Sequence, residues 1–368
     1  MQGDEGGSTL PTDQIAQAFM RFAANECRGS SVLYESLSNE IATDVSILTL
    51  CEQANPGQPI PNLLFGAVHY LLLSGHQHPL GDYYPSVAIE AKEVDEGLFP
   101  SFQQFCTTYE TELVALLQTR LVQTNEVRRC AYLYPVFGMI SRYSKQPLSL
   151  VEIGTSAGLQ LLWDQYSYRY GDSELVGNVT SSLEISAEVI GEGRPRLNLP
   201  LPPVRERIGF DLNIVDLTDA DEKLWLKALI WPEHETRLEL FEQASALIGS
   251  HPLELIQGDG VQLLKTRVDS IETDSIVCIF HTHVANQMPL ETKYELLRQV
   301  DCIGEYRDVC HIYNNVQDKL LHLDLIIDGR KSEFVLAETD GMDVGSTGCY
   351  HQKRKKVLSE DSVSSNLG

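Results

Sequence analysis

Basic residues are scarce in this chain. Lys and Arg number 28 against 52 Asp and Glu, a formal net charge of -24. Nucleic-acid binding relies on basic patches that neutralise phosphates, so this balance argues against it. Long apolar runs are also missing. The longest, "NLLFGAVHYLLL", is too short to span a bilayer and contains His69. No C-x-x-C pair occurs among Cys27, Cys51, Cys106, Cys130, Cys278, Cys302, Cys310 and Cys349. The polar start, "MQGDEGGSTLPTDQ", carries no secretory-leader pattern. Reduced, mostly buried thiols and a cytoplasmic location are expected. No internal repeat is present.

What is present suffices for a sizeable core: 368 residues, of which 43% are apolar. Residues 1–12 read as a disordered lead-in. From residue 13 to 147 the pattern is helical. "DQIAQAFMRFAANEC", "PNLLFGAVHYLLLSG", "SFQQFCTTYETELVALLQTR" and "TNEVRRCAYLYPVFGMISRY" repeat apolar residues at three- and four-residue spacing. Gly and Pro clusters separate them. An all-helical N-terminal domain is predicted there.

Between 148 and 340 the character changes. "LSLVEIG", "VRERIGFDLN", "LELIQGD", "DSIVCIFHTH" and "DVCHIYNN" are short strand-like runs, and helical stretches follow most of them. This alternation predicts an α/β domain with a mainly parallel sheet and helices on both faces. Asp328–Gly329 between two strand-like runs predicts a hairpin and a final antiparallel strand. Residues 170–205 interrupt the alternation as an insertion. Residues 341–368 are Ser/Gly-rich with a "KRKK" run and read as a disordered tail.

The stretch "LVEIGTSAGLQLLWDQY" carries the first functional signal. A strand ends beside Glu152, turns through Gly154, Ser156, Ala157 and Gly158, and a helix is expected from Ala157 onward. Gly154 permits backbone angles closed to other residues and close approach of a ligand. A helix start there would offer free N–H groups and a positive dipole end. G-x-G-x-x-G is absent, because Ser156 and Leu159 stand where its later glycines belong. A nicotinamide-dependent oxidoreductase is therefore disfavoured.

The pattern E-x-G-x-S-x-G resembles motif I of class I S-adenosylmethionine-dependent methyltransferases, with Ser156 in place of the middle glycine. "RIGFDLN", "LELIQGDGVQLL" and "DSIVCIFHTHV" are similar to that family's next three strands. The resemblance implies a Rossmann-like methyltransferase-type sheet with S-adenosylmethionine as cofactor. It implies that Glu152, Gly154, Ser156, Gly158, Asp211, Asp259 and Gly260 line the cofactor. Asp211 would hold the ribose hydroxyls, with Asp216 in reserve, and Asp259 would meet the adenine amino group. Asp211→Ala would then weaken binding and leave the unliganded melting temperature little changed. The chain also resembles a mostly bacterial family, domain of unknown function 2332, through "GQPIPNLLFGAVHYLLL", "RLVQTNEVRRCA", "GFDLNIVDLTD" and "LIWPE", over about residues 15–338. That family carries no assigned reaction and so implies no substrate. "DGMDVGSTGC" departs from its usual aromatic-rich final strand.

His281 and His283 form H-x-H after the fourth strand, and strand alternation would put both on one face. Three readings stand: a metal pair, a general base beside the methyl acceptor, and structural histidines closing a sheet edge. No motif supplies further ligands, so no metal is expected. "QTNEV" also has two readings. Thr124 or Asn125 caps a helix, or Gln123, Asn125 and Glu126 bind a small-molecule substrate. The leading expectation is a methyltransferase acting on such an acceptor. The alternative is a non-catalytic sensor that keeps the cofactor pocket.

Overall fold

The structure, a computed structural model, describes residues 12–190 and 193–339, and the backbone of 346–347 and 350–354. The α-helices through Ile140 are α1 (Thr12–Phe22), α2 (Val32–Ile41), α3 (Val45–Cys51), α4 (Ile60–Leu73), α5 (Leu98–Thr108), α6 (Glu110–Thr119) and α7 (Cys130–Ile140). Four more follow: α8 (Ala220–Ala228), α9 (Glu235–Ile248), α10 (Gly260–Asp269) and α11 (Leu290–Gly304). The described chain forms two compact units. One holds the residues up to Thr124 together with Asp216–Phe241; the other holds Asn125–Val215 and the residues from Glu242 on.

In the first unit the three- and four-residue apolar spacing becomes helix, as its periodicity dictates. α1 buries Ile15, Phe19 and Phe22. Ser31 and Asp44 cap α2 and α3 by accepting from the backbone N–H of Tyr34 and Ile47. α4 is buried on nearly every side, so its one histidine must be satisfied internally. His69 bonds through Nδ1 to the Ala228 carbonyl (2.9 Å) and through Nε2 to Ser86 Oγ (2.7 Å). Burial pushes it down to about 4.

The second unit begins earlier than the predicted change at 147, because α7 belongs to it. All of "CAYLYPVFGMI" is buried. Phe137 stacks on Trp163 and meets Phe280 edge-on. A helix that is apolar all round must be covered on every side, and here one side is covered by a strand.

The strands are β1 (Leu148–Ile153), β2 (Ser167–Tyr170), β3 (Val176–Gly177), β4 (Glu184–Val189), β5 (Val204–Asp211) and β6 (Glu254–Gln257). They continue with β7 (Ile276–Phe280), β8 (Val309–Tyr313), β9 (Leu320–Ile327), β10 (Arg330–Glu338), β11 (Ser346–Thr347) and β12 (Tyr350–Arg354). An eight-stranded sheet has the order β12-β10-β9-β8-β7-β1-β5-β6. From β6 to β8 neighbours run parallel; from β8 to β12 they run antiparallel. Val151, Phe210, Ile279 and Val309 pack on one face against Val261 and Leu264 of α10 and Leu296 and Val300 of α11. The opposite face meets α7.

The predicted hairpin is present. Asp328 (φ 50°) and Gly329 (φ 69°) are both left-handed and join β9 to β10, as a two-residue turn of this hand requires. The insertion is built as strands: β2, β3 and β4 form a small sheet with β11. The helix expected from Ala157 is not α-helical. Leu159–Gln165 is a 3-10 segment broken at Leu162. Its apolar residues, Leu159, Leu161, Leu162 and Trp163, are buried on all sides, so packing rather than an amphipathic face sets its shape. Such a short, kinked segment lacks the aligned dipole expected from a long helix.

The expected lead-in lies outside the described residues, apart from Thr12, which opens α1. The expected disordered tail also lies outside them, except that 346–347 and 350–354 are paired strands. Among the described residues every cysteine is free, and all but Cys302 are buried. Cys349 is not among them.

Candidate functional site

β1 is buried along its whole length, and at its carboxyl end the backbone turns sharply. Gly154 (φ 78°), Ser156 (φ 50°) and Gly158 (φ 79°) are all left-handed. The turn is tied to the end of β5. Gly154 and Thr155 donate their backbone N–H to the Phe210 carbonyl (2.8 and 3.0 Å). Asp211 receives Ser156 N–H on Oδ2 (2.8 Å) and Asn213 N–H on Oδ1 (3.0 Å). The predicted ribose ligand is thus also the anchor of the turn, and one lone pair on each carboxylate oxygen remains for another donor.

The motif glycines are needed for close packing inside the chain. A Cβ on Gly154 would lie 2.7 Å from Val284 Cβ, and one on Gly158 would lie 2.9 Å from Leu253 Cδ1. A Cβ on Gly260 would meet Phe210 Cβ at 2.9 Å. Over Gly154, where a ligand was expected to approach the main chain, Val284 is seated. Asp259 caps α10, accepting from the N–H groups of Val261 (2.9 Å) and Gln262 (3.3 Å) through Oδ1. Its Oδ2 takes no partner among the described residues. Beside Asp211, Leu212 is 74% exposed and offers an apolar surface at the strand ends.

The residues of "NEVRR" come to the same strand ends. Asn125 Nδ2 donates to the Thr155 carbonyl (2.6 Å), while its Oδ1 is buried without a hydrogen-bond partner among the described residues. Glu126, not Thr124 or Asn125, caps the short turn that follows, accepting from Arg128 N–H (3.0 Å) and pairing with Arg128 Nε (3.2 Å). Gln123 belongs to the first unit. Asp216, the reserve candidate, is also in the first unit and accepts from Thr218 Oγ1 (2.6 Å).

Three further side chains, unmarked by any motif, complete the cluster. Arg129 Nη1 donates to Thr282 O (3.3 Å) and Oγ1 (3.2 Å). Thr282 Oγ1 donates to Gln160 Oε1 (2.9 Å). Glu152 is 1% exposed and accepts from Thr155 Oγ1 (2.6 Å). Burial, with the Asp211 charge added, pushes its carboxyl up to about 8, although the Thr155 bond and Arg129 pull the other way. The shift favours the protonated form of Glu152 near neutral pH. Ser156 Oγ and Arg129 Nε are buried without hydrogen-bond partners among the described residues.

The two histidines separate. β7 ends at Phe280 and His283 is left-handed (φ 62°), so strand alternation does not carry through to it. His281 is 1% exposed, and its ring lies 5.3 Å from that of His311. Register sets His311 beside Asp324 and Tyr313 beside His322, which makes a buried polar row on the face covered by α11. Both ring nitrogens of His281 and of His311 are without hydrogen-bond partners among the described residues. Burial, helped by Lys293, pushes His281 down to about 3. His283 is half-buried between Asn314 and Asn315 (3.5 and 3.4 Å), and burial, with Arg129 adding to it, pushes it down to about 4. Among the described residues no three His, Cys, Asp or Glu side chains are grouped to hold a metal ion. No described helix is long and apolar enough to cross a membrane.

Fold and site define a mixed α/β protein with polar groups gathered at the carboxyl ends of its parallel strands. Residues 16–342 match the family described as an uncharacterized protein conserved in bacteria (DUF2332), and the chain belongs to that family. No curated protein and no solved structure matches it.

Proposed function

We propose that the second unit binds S-adenosylmethionine at the carboxyl ends of β5, β1 and β7, in a Rossmann-like, methyltransferase-type arrangement, and methylates a small-molecule acceptor. The observation that carries this reading is the strand order. β6, β5, β1, β7 and β8 stand third, second, first, fourth and fifth in sequence among the parallel strands. An order that reverses beside β1 opens a crevice at that point. Acids stand at its rim, Asp211 ending β5 and Asp259 just beyond β6, with Glu152 buried near the end of β1.

The residues fit the nucleoside end of the cofactor best. Asp211 has lone pairs left for the ribose hydroxyls, Asp259 Oδ2 faces no protein donor among the described residues, and Leu212 offers an apolar surface for the base. When bound, the cofactor supplies a methyl group on a sulfonium, whose sulfur keeps the bonding pair as the acceptor's lone pair takes the methyl. Protein groups then need to align the acceptor and receive its proton. His283, neutral and half-buried, is the better placed of the two histidines to receive it. Asn125 Oδ1 and Arg129 Nε are available to orient the acceptor.

Two observations favour the second reading, a non-catalytic sensor. Val284 fills the approach to Gly154, so the methionine end of the cofactor needs the 282–286 turn to move, and His281 faces His311 rather than a free surface. Methyl-labelled cofactor, incubated with the protein and a small-metabolite extract, separates the two. Transfer that falls on His283→Ala, with cofactor affinity held within about threefold, supports the enzyme. Cofactor binding with no labelled product supports the sensor.

A further inference from the structure

A cavity of about 320 Å³ lies between the carboxyl half of α7, the segment 193–199 and β10. It shares no residue with the strand-end cluster and does not depend on the methyltransferase reading. Its size is at the lower end of the range that holds small molecules, about 300–1,000 Å³. Its lining combines the apolar side chains of Val136, Met139 and Leu336 with Arg142, Arg194 and Arg196. None of the described residues lining it is acidic.

That composition is unusual for this chain. In a protein of net charge -24 carboxylates far outnumber arginines, and several arginines of this unit meet one. Arg169, Arg205, Arg207, Arg267 and Arg298 of the same unit each pair with one. Arg142 and Arg196 pair with none among the described residues, and both are exposed. Guanidinium groups and apolar side chains lining one cavity match a ligand with a planar or tetrahedral oxyanion head and a short hydrocarbon tail. The neighbouring cavity of about 580 Å³ shares Arg196 but has Glu174 on its wall. Charge therefore favours an anionic head on the Arg142 side.

We propose that this cavity binds small amphipathic anions, with the head at Arg142 and Arg196 and the tail on Val136, Met139 and Leu336. A carboxylate and a phosphate monoester share this chemistry, so the probes are decanoate and monodecyl phosphate, with decanol as the uncharged control. Each is titrated calorimetrically into the full chain and into the double variant Arg142→Glu/Arg196→Glu. At least one anion is expected to bind at least tenfold more tightly than decanol. The double variant should lose at least tenfold in that anion's affinity, leave decanol unchanged and keep its melting temperature, since both arginines are exposed. Raising the salt concentration should weaken the anion and spare decanol. The relative affinity of the two anions then assigns the head group. Equal affinity for decanol and both anions, anion binding indifferent to the double variant, or no binding by either anion would overturn the proposal.

Discussion

Glu152 illustrates what a single buried carboxyl does to a fold. Its folded-state value is raised from the ordinary 4.5 to about 8. The folded state therefore holds a proton that the unfolded state releases. Its contribution to stability is fully present below 4.5 and is lost as pH rises through about 8. Glu152→Gln copies the protonated form. The variant should lose less melting temperature than the parent between pH 6 and pH 9, as scanning calorimetry at the two pH values would show. Equal losses would mean that Glu152 is already ionised in the folded protein. The histidines have the opposite sign. His281, pushed down to about 3, and His311, well below its ordinary 6.5, are neutral in the fold. Their contribution is present above 6.5 and is lost as pH falls toward the depressed values. His311→Leu should give a shallower fall in urea midpoint between pH 6.5 and pH 4. An unchanged slope would contradict the burial of neutral imidazoles. Asp211 revises one expectation from the sequence. Because it holds Ser156 N–H and Asn213 N–H, Asp211→Ala leaves both amides unpaired and should cost about 1–3 kcal/mol in the unliganded chain, measurable by denaturant titration.

At the scale of elements, the turn after β1 is a tight joint near the site. Gly154→Ala combines a left-handed backbone, costing about 1–2 kcal/mol for a residue with a side chain, with a Cβ placed 2.7 Å from Val284. A loss of about 2 kcal/mol or more is expected, and Val284→Ala should recover part of it in a double-mutant cycle. Purely additive losses would show that Val284 does not press on this glycine. The strands and the β9–β10 hairpin were legible because runs such as "IVCIF" and the pair Asp328–Gly329 act locally. So were the acids at the strand ends, each within two residues of a glycine in sequence. The 3-10 segment was not legible: "LQLLWDQ" has helix-forming composition, and only burial on every side breaks it at Leu162. Nor was the membership of α7, whose apolar pattern looks the same in a helical bundle as on the face of a sheet. Arg129, Gln160 and Thr282 were missed because they meet only through the fold, from segments far apart in sequence and without a shared motif.

At the scale of the whole molecule, the charge of -24 and the gathering of acids and buried polar groups at one end of a parallel sheet point the same way. On the proposed reading, that sheet end takes a small ligand with hydroxyl and amino donors and a positive centre. The most direct measurement is isothermal titration of the full chain with S-adenosylmethionine, its demethylated product and NAD in turn. The expected result is saturable binding of one or both sulfur ligands at a single site and no response to NAD. Affinity should fall at least tenfold in Asp211→Ala, in keeping with charge-assisted bonds worth about 1.5–3 kcal/mol each. Tight binding of NAD, with no response to either sulfur ligand, would contradict the reading of the strand ends as an S-adenosylmethionine site.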